Sequence, residues 1–270
     1  YLHYKPGNGT VYFELSKIFT HLQNSSFALH YAEKAVQTEP DNKWFQINYA
    51  GLLANDKQYD IAANIYAMLH NRFPNDQEYL YDQGVLLTNA GKYPEALHIF
   101  DTLEKKYGVS EEIIYQKQRA YLKMGNVNAA AAEIQKLITQ DPSDPRYYGL
   151  LAEVYSTNDM PDKAMETYQI LLQKDPNNPQ ALIALALHYK TKGDEAQYEQ
   201  YMARAFTNPG LDIDDKINFV YPFLNYVEID STKKDEALML CRMILQALPD
   251  DARAYSLYVD MFFQCDKQAS

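Results

Sequence analysis

The chain has 270 residues, enough for one or two ordinary domains with a buried core. With 47% hydrophobic and 23% charged residues it is not a disordered chain, and no stretch approaches the eighteen or so apolar residues needed to cross a bilayer. The formal net charge is -11, and no cluster of Lys and Arg could neutralise a phosphate backbone, which argues against nucleic acid as a partner.

In chain order, Tyr1 to Asn8 read as the tail of a helix that ends at Pro6. From there a spacing of 34 residues organises the chain, with Pro6, Pro40 and Pro74, then Gly108, Pro142 and Pro176 in the same slot. The segments so defined are 9–42, 43–76, 77–110, 111–144, 145–178 and 179–212. Aligned on one another, they place Ser16, Ala50, Gly84, Gln118, Ala152 and Ala186 in the eighth column. The twentieth column holds Ala28, Ala62, Ala96, Ala130, Ala164 and Tyr198. Small residues suit positions where two helices of a hairpin approach closely, and the large residues of the eleventh column (Phe19, Leu53, Leu87, Tyr121, Tyr155, Tyr189) fill the space beside them. Gly91, Gly125 and Gly193 stand at the fifteenth column, where the first helix must end and turn. Gln118 and Tyr198 depart from the pattern, no segment has Trp at column four, and Pro209 comes one residue early. Residues 213–251 read as an irregular seventh unit with its first helix distorted around Pro222, resuming the register at Ala237, Cys241, Ile244 and Pro249. Residues 252–263 read as the first helix of another unit, giving a partial repeat over 252–270. A chain that begins and ends inside repeats is expected to be a fragment, or a mature form whose signal or membrane anchor lay upstream.

These columns resemble the tetratricopeptide family over nearly the whole chain, and 34 residues is its period. Repeat three (Leu80, Gly84, Leu87, Ala96, Phe100, Leu103) is the cleanest copy. The resemblance implies an all-α, right-handed superhelical solenoid of antiparallel helix pairs, a single solenoid over 1–270 with about seven repeats plus partial terminal units. It further implies a non-catalytic protein–protein interaction scaffold that takes a peptide or protein partner in a concave groove lined by the first helices. Alternatives are a glycan-binding helical-repeat protein, which the single Trp disfavours, or the regulatory arm of a larger enzyme. The Tyr-, Asn- and Gln-rich composition resembles family members of bacterial envelopes, so a periplasmic or outer-membrane-anchored setting is favoured over the cytoplasm, with an envelope or secretion complex as the assembly served.

Columns two, six, nine and thirteen form one stripe at helical spacing, directed away from the buried columns four, eight and eleven. Column six reads Glu14, Asn48, Asp82, Gln116, Leu150 and Ala184. Related proteins hold an extended peptide backbone with Asn at this column, so Asn48, Asp82 and Gln116 are the expected peptide-binding track. Trp44, Tyr81 and Tyr115 are expected apolar anchors, with packing between repeats as the competing role. Arg119 and Lys123 could meet an acidic group or offset nearby acid. A chaperone-tail clamp is not supported, because Glu78 and Asp82 stand where basic residues would be needed.

No catalytic constellation stands out. There is no phosphate loop, nucleophile elbow or His-Glu-x-x-His pair, and no cofactor is expected. The six histidines (His3, His21, His30, His70, His98, His188) read as surface or packing residues. Asp212, Asp214 and Asp215 form a helix-capping cluster more readily than a calcium loop, which would need a glycine and a bidentate Glu. Cys241 reads as a buried thiol, and with Cys265 it fits neither a disulfide framework nor a zinc spacing.

Overall fold

A computed structural model describes residues 8–225 and 231–266. The expected helix tail before Asn8, with Pro6 and His3, lies outside the described residues, as does the side chain of Cys265. Every regular element among the described residues is a helix, and they fall into two compact units, residues 1–140 and 141–270. The fold class is that of a helical-repeat solenoid.

The first unit holds four helix pairs: α1 (Gly9–His21) with α2 (Ser25–Thr38), α3 (Lys43–Asn55) with α4 (Tyr59–Arg72), α5 (Gln77–Asn89) with α6 (Tyr93–Tyr107), and α7 (Glu111–Lys123) with α8 (Val127–Gln140). The second holds α9 (Pro145–Ser156) with α10 (Pro161–Lys174) and α11 (Pro179–Thr191) with α12 (Glu195–Thr207). It continues with α13 (Ile213–Val220), a 3₁₀ turn (Tyr221–Asn225), α14 (Ser231–Ala247) and α15 (Ala252–Asp266).

Two local signals punctuate these hairpins. A capping side chain recurs every 34 residues and accepts a backbone N–H in the first turn of the next helix: Asn8, Asn42, Asp76, Ser110, Asp144, Asn178 and Asp212. Asp212 thus opens α13 as a cap, and no group of His, Cys, Asp or Glu among the described residues could hold a metal ion. Each first helix then closes on a left-handed residue at column fifteen, with φ of 56° at Gln23, 63° at Lys57, 78° at Gly91, 72° at Gly125, 55° at Asp159 and 75° at Gly193. In every case the next N–H returns to the column-eleven carbonyl, as in Asn24 to Phe19 (2.9 Å) and Gln58 to Leu53 (2.8 Å), the six-to-one bond of a Schellman cap.

The small columns are where the helices meet. Ala28, Ala62, Ala96, Ala130 and Ala164 are fully buried, as are Ser16, Ala50, Ala152 and Ala186. A Cβ on Gly84 would lie 2.8 Å from two atoms of the Phe100 ring, so only glycine leaves room for that phenyl group. Tyr198 is tolerated because its hydroxyl reaches across to α14 and donates to Glu236 Oε1 at 2.5 Å. Leu53, Leu69, Phe100 and Leu103 centre one core; Leu182, Met202, Phe206, Cys241 and Ile244 centre that of the second unit. Burying each of these large side chains contributes roughly 1.5–3 kcal/mol relative to exposure.

The second unit departs from regular pairing after Asp212. The α-helix of α13 stops after eight residues and tightens into the 3₁₀ turn that contains Pro222. On α15, Ala254, Leu257 and Met261 are buried, while Tyr255, Val259, Phe262 and Phe263 remain exposed.

Candidate functional site

In the first unit, the stripe made by columns two, six, nine and thirteen carries Trp44, Asn48, Gly51 and Asn55 on α3, then Glu78, Asp82, Val85 and Asn89 on α5. On α7 it carries Glu112, Gln116, Arg119 and Lys123, and all twelve residues are exposed or half-buried. On these three helices the column-six side chains face groups of the repeat before. Asn48 Nδ2 donates to Ser16 Oγ at 2.9 Å, and Gln116 Nε2 donates to Tyr81 Oη at 3.4 Å. Asp82 lies beside the Tyr66 hydroxyl on α4, and each shifts the titration of the other. The sequence pattern identifies the column but not these bonds, which depend on partners 32 and 35 residues away in the first two cases.

The bonds leave the three residues unequal. Asn48 Oδ1 has no intramolecular partner among the described residues, so it can accept from a ligand. Gln116 Oε1 is buried and unpaired, and thus withdrawn from the surface. Burial pushes the Asp82 carboxyl above its usual range and the nearby charge of Glu78 adds to this, while the hydrogen bond from Tyr66 opposes it. Burial, then the Asp82 charge, pushes the Tyr66 phenol up to about 12. In the second unit column six holds the half-buried Leu150 and Ala184.

The aromatic candidates occupy different settings. Trp44 is 62% exposed, with Lys43 Nζ 4.8 Å from its ring centroid. Tyr81 packs edge-on against Phe100, with ring centroids 6.0 Å apart. Tyr115 is 37% exposed and donates to Glu111 one turn earlier on α7. Arg119 Nη2 reaches back to Asn89 Oδ1 at 3.1 Å. Tyr81 also lines a cavity of about 610 Å³ at the ends of α5, α6 and α7, along with Glu78, Leu103, Tyr107, Glu112 and Ile113.

One charged cluster escapes the column analysis. Lys117 on α7 is 2% exposed and lies 2.6 Å from Asp101, 2.6 Å from Glu104 and 3.1 Å from Glu133. Lys136 bridges Glu104 and Glu133 from the other side. Burial opposes the Lys117 charge, but the hydrogen bonds it donates to the three carboxylates outweigh this and hold the ammonium above the ordinary lysine range. A signal was present: Leu15, Tyr49, Leu151 and Leu185 fill the same column in four other repeats, with Gln83 in the fifth, and acids lie three residues apart on α6. The second unit has a smaller counterpart in Lys190, Tyr198 and Glu236.

Sequence models of the tetratricopeptide repeat match residues 87–154 and 150–178. The human protein O-mannosyl-transferase TMTC1 is 26% identical over 129 residues, which is 48% of this chain and 14% of that protein. The Hsp70-Hsp90 organizing protein of Triticum aestivum is 24% identical over 195 residues, 60% of this chain and 34% of the relative. The chain therefore spans about a third or less of the length of these curated relatives. Among solved structures, a tetratricopeptide repeat protein from Parabacteroides merdae ATCC 43184 shares the fold, with a TM-score of 0.51 at 15% identity. That match covers 94% of this chain and 98% of the other. The regular helix pairs, the recurring caps and these matches agree: residues 87–178 are tetratricopeptide repeats, and the chain as a whole has the helical-repeat fold of such proteins.

Proposed function

We propose that this chain is a non-catalytic scaffold that holds an extended segment of a partner protein along the first helices of its first unit. The observation that supports this most directly is the fixing of Asn48 by its bond to the preceding repeat, with Asp82 set against the Tyr66 hydroxyl of the repeat before its own. Side chains already held in one orientation lose little entropy when a ligand arrives, so their remaining acceptors form a prepared track for backbone N–H donors. Trp44 at one end of the track offers an exposed ring to an apolar side chain. A neutral hydrogen bond here would contribute about 0.5–1.5 kcal/mol, so several must act together.

The test is selection of binders from a random peptide library, followed by mapping of the bound face from amide shifts of the labelled chain. Shifts concentrated on α3, α5 and α7, with weaker binding in Asn48→Ala, support the track. Shifts confined to α4, α6 and α8 would place the binding surface on the second helices and refute it.

A further inference from the structure

Beside the track, we infer that the cavity between Tyr81 and Tyr107 is a socket for an arginine side chain of the bound segment, an assignment that rests on the interaction reading above and gives its partner a chemistry. The cavity measures about 610 Å³, within the usual range for ligand pockets of roughly 300–1,000 Å³. Leu103 and Ile113 supply apolar lining that suits the methylene stem of a long side chain. Tyr81 and Tyr107 supply rings on which a planar guanidinium can stack. Glu78 and Glu112 supply the only charged groups in the lining, both exposed, and no cation pairs with either among the described residues.

The surroundings favour a donor-rich cation over other occupants. Ser110 Oγ, also in the lining, already accepts from the Ile113 N–H as a helix cap. The last turn of α6 carries Lys105 and Lys106, but neither lines the cavity, and Lys106 is engaged with the Pro74 carbonyl and the Tyr107 ring. Asp82 lies one turn beyond Glu78 on α5, and its carboxyl is held above the usual range by burial, then by the charge of Glu78. The acids of α5 thus repel one another, and a cation seated beside Glu78 would relieve that repulsion. A carboxylate or phosphate occupant would add to it. Arginine fits better than lysine because its fork can bridge two carboxylates while its flat face rests on a tyrosine.

The probe is a capped hexapeptide with one arginine among glycines and serines, beside its citrulline twin, which keeps the shape and loses the charge. Binding to the nitrogen-15-labelled chain is read from the amide shifts of Gly108, Ser110 and Ile113. The arginine peptide should move these resonances with at least about tenfold higher affinity than citrulline, and the preference should shrink as salt rises from about 50 to about 300 mM. Glu78→Gln and Glu112→Gln should each weaken the arginine peptide several-fold and leave the citrulline peptide unchanged. Both side chains are exposed, so a melting curve matching the parent separates loss of binding from loss of fold. Equal affinity for the two peptides, or shifts that avoid the cavity, overturns the socket. If library-selected peptides still map to α3, α5 and α7 in that case, the interaction reading stands and only the socket falls; if they too fail to bind, the broader reading falls.

Discussion

Replacing Lys117 with Met tests the energetics of the first unit, because methionine keeps the length of the apolar stem and deletes the ammonium with its charge and donors. At 2.6 Å and an effective dielectric of about 20, Coulomb's law gives on the order of 6 kcal/mol of gross attraction for each of the two shortest contacts. Desolvation of the buried ammonium offsets much of this in the parent. Removing Lys117 takes one of the two cations from Glu133, with a side chain only 9% exposed, and leaves Lys136 to serve Glu104 and Glu133 alone. Breaking a buried pair in this way costs roughly 3–5 kcal/mol. Urea unfolding followed by Trp44 fluorescence is the assay, since the sole tryptophan lies in the same unit. The pH dependence supplies a second check. Burial alone would raise the Glu104 pKa, but hydrogen bonds from Lys117 and Lys136 hold it below 4.5. A carboxylate depressed on folding contributes stability that is present above its unfolded value and lost as pH falls through the folded value. The deficit of Lys117→Met should therefore be fullest near neutral pH and narrow as pH drops below about 4.5. A deficit under about 1 kcal/mol at neutral pH, or one unchanged by acid, would refute the account.

Two glycine contrasts follow from the packing. Gly84→Ala should cost roughly 1–3 kcal/mol, because its Cβ would sit 2.8 Å from the Phe100 ring, whereas Gly51→Ala meets nothing within 4 Å and should gain up to about 1 kcal/mol; thermal melts of the pair decide. At column fifteen, Lys57→Gly and Asp159→Gly should each stabilise by about 0.5–1 kcal/mol by removing a side chain from a left-handed backbone, and unchanged melting of both would count against that strain.

What the sequence revealed, and what it withheld, follows from the range of each interaction. The alanines of column twenty were legible because steric crowding admits few residue types, so the same answer recurs in five repeats. The caps at Asn8, Asn42 and Asp76 act within three residues, and their pattern is carried by the chain itself. The left-handed turns were only half legible: Gly91 and Gly125 announce themselves, but Gln23, Lys57 and Asp159 adopt the same backbone without the residue type that signals it. Lys117 was easily passed over because a lysine normally reads as surface, and its burial depends on acids supplied by α6 and α8. The binding face lies between these cases. Spacing selects Asn48, Asp82 and Gln116, yet spacing cannot say that Gln116 turns its carbonyl oxygen inward.

That inward turn narrows the kind of partner the proposed track could take. Asn48 commits one amide N–H to Ser16, and Gln116 commits one to Tyr81, so each amide is partly engaged within the chain. The groups left for a ligand are mostly acceptors: Asn48 Oδ1, the Asp82 carboxylate, and the unpaired carboxylates of Glu78 and Glu112. Arg119, the one guanidinium on these three first helices, is already bonded to Asn89. A surface so weighted toward acceptors would bind a segment that supplies donors, through backbone N–H groups along the track and a guanidinium in the socket. It would disfavour an acidic tail at the socket, since each added carboxylate would face the like charge of Glu78, Asp82 and Glu112, with Lys123 the one exposed ammonium on the stripe. The formal net charge of -11 acts in the same direction at longer range, speeding encounter with basic partners at low salt. Reversing the local charge with Glu78→Lys and Glu112→Lys should therefore exchange the preference, so that a glutamate version of the probe hexapeptide binds more tightly than the arginine version. A double variant that still prefers arginine would mean that shape, rather than charge, governs the cavity.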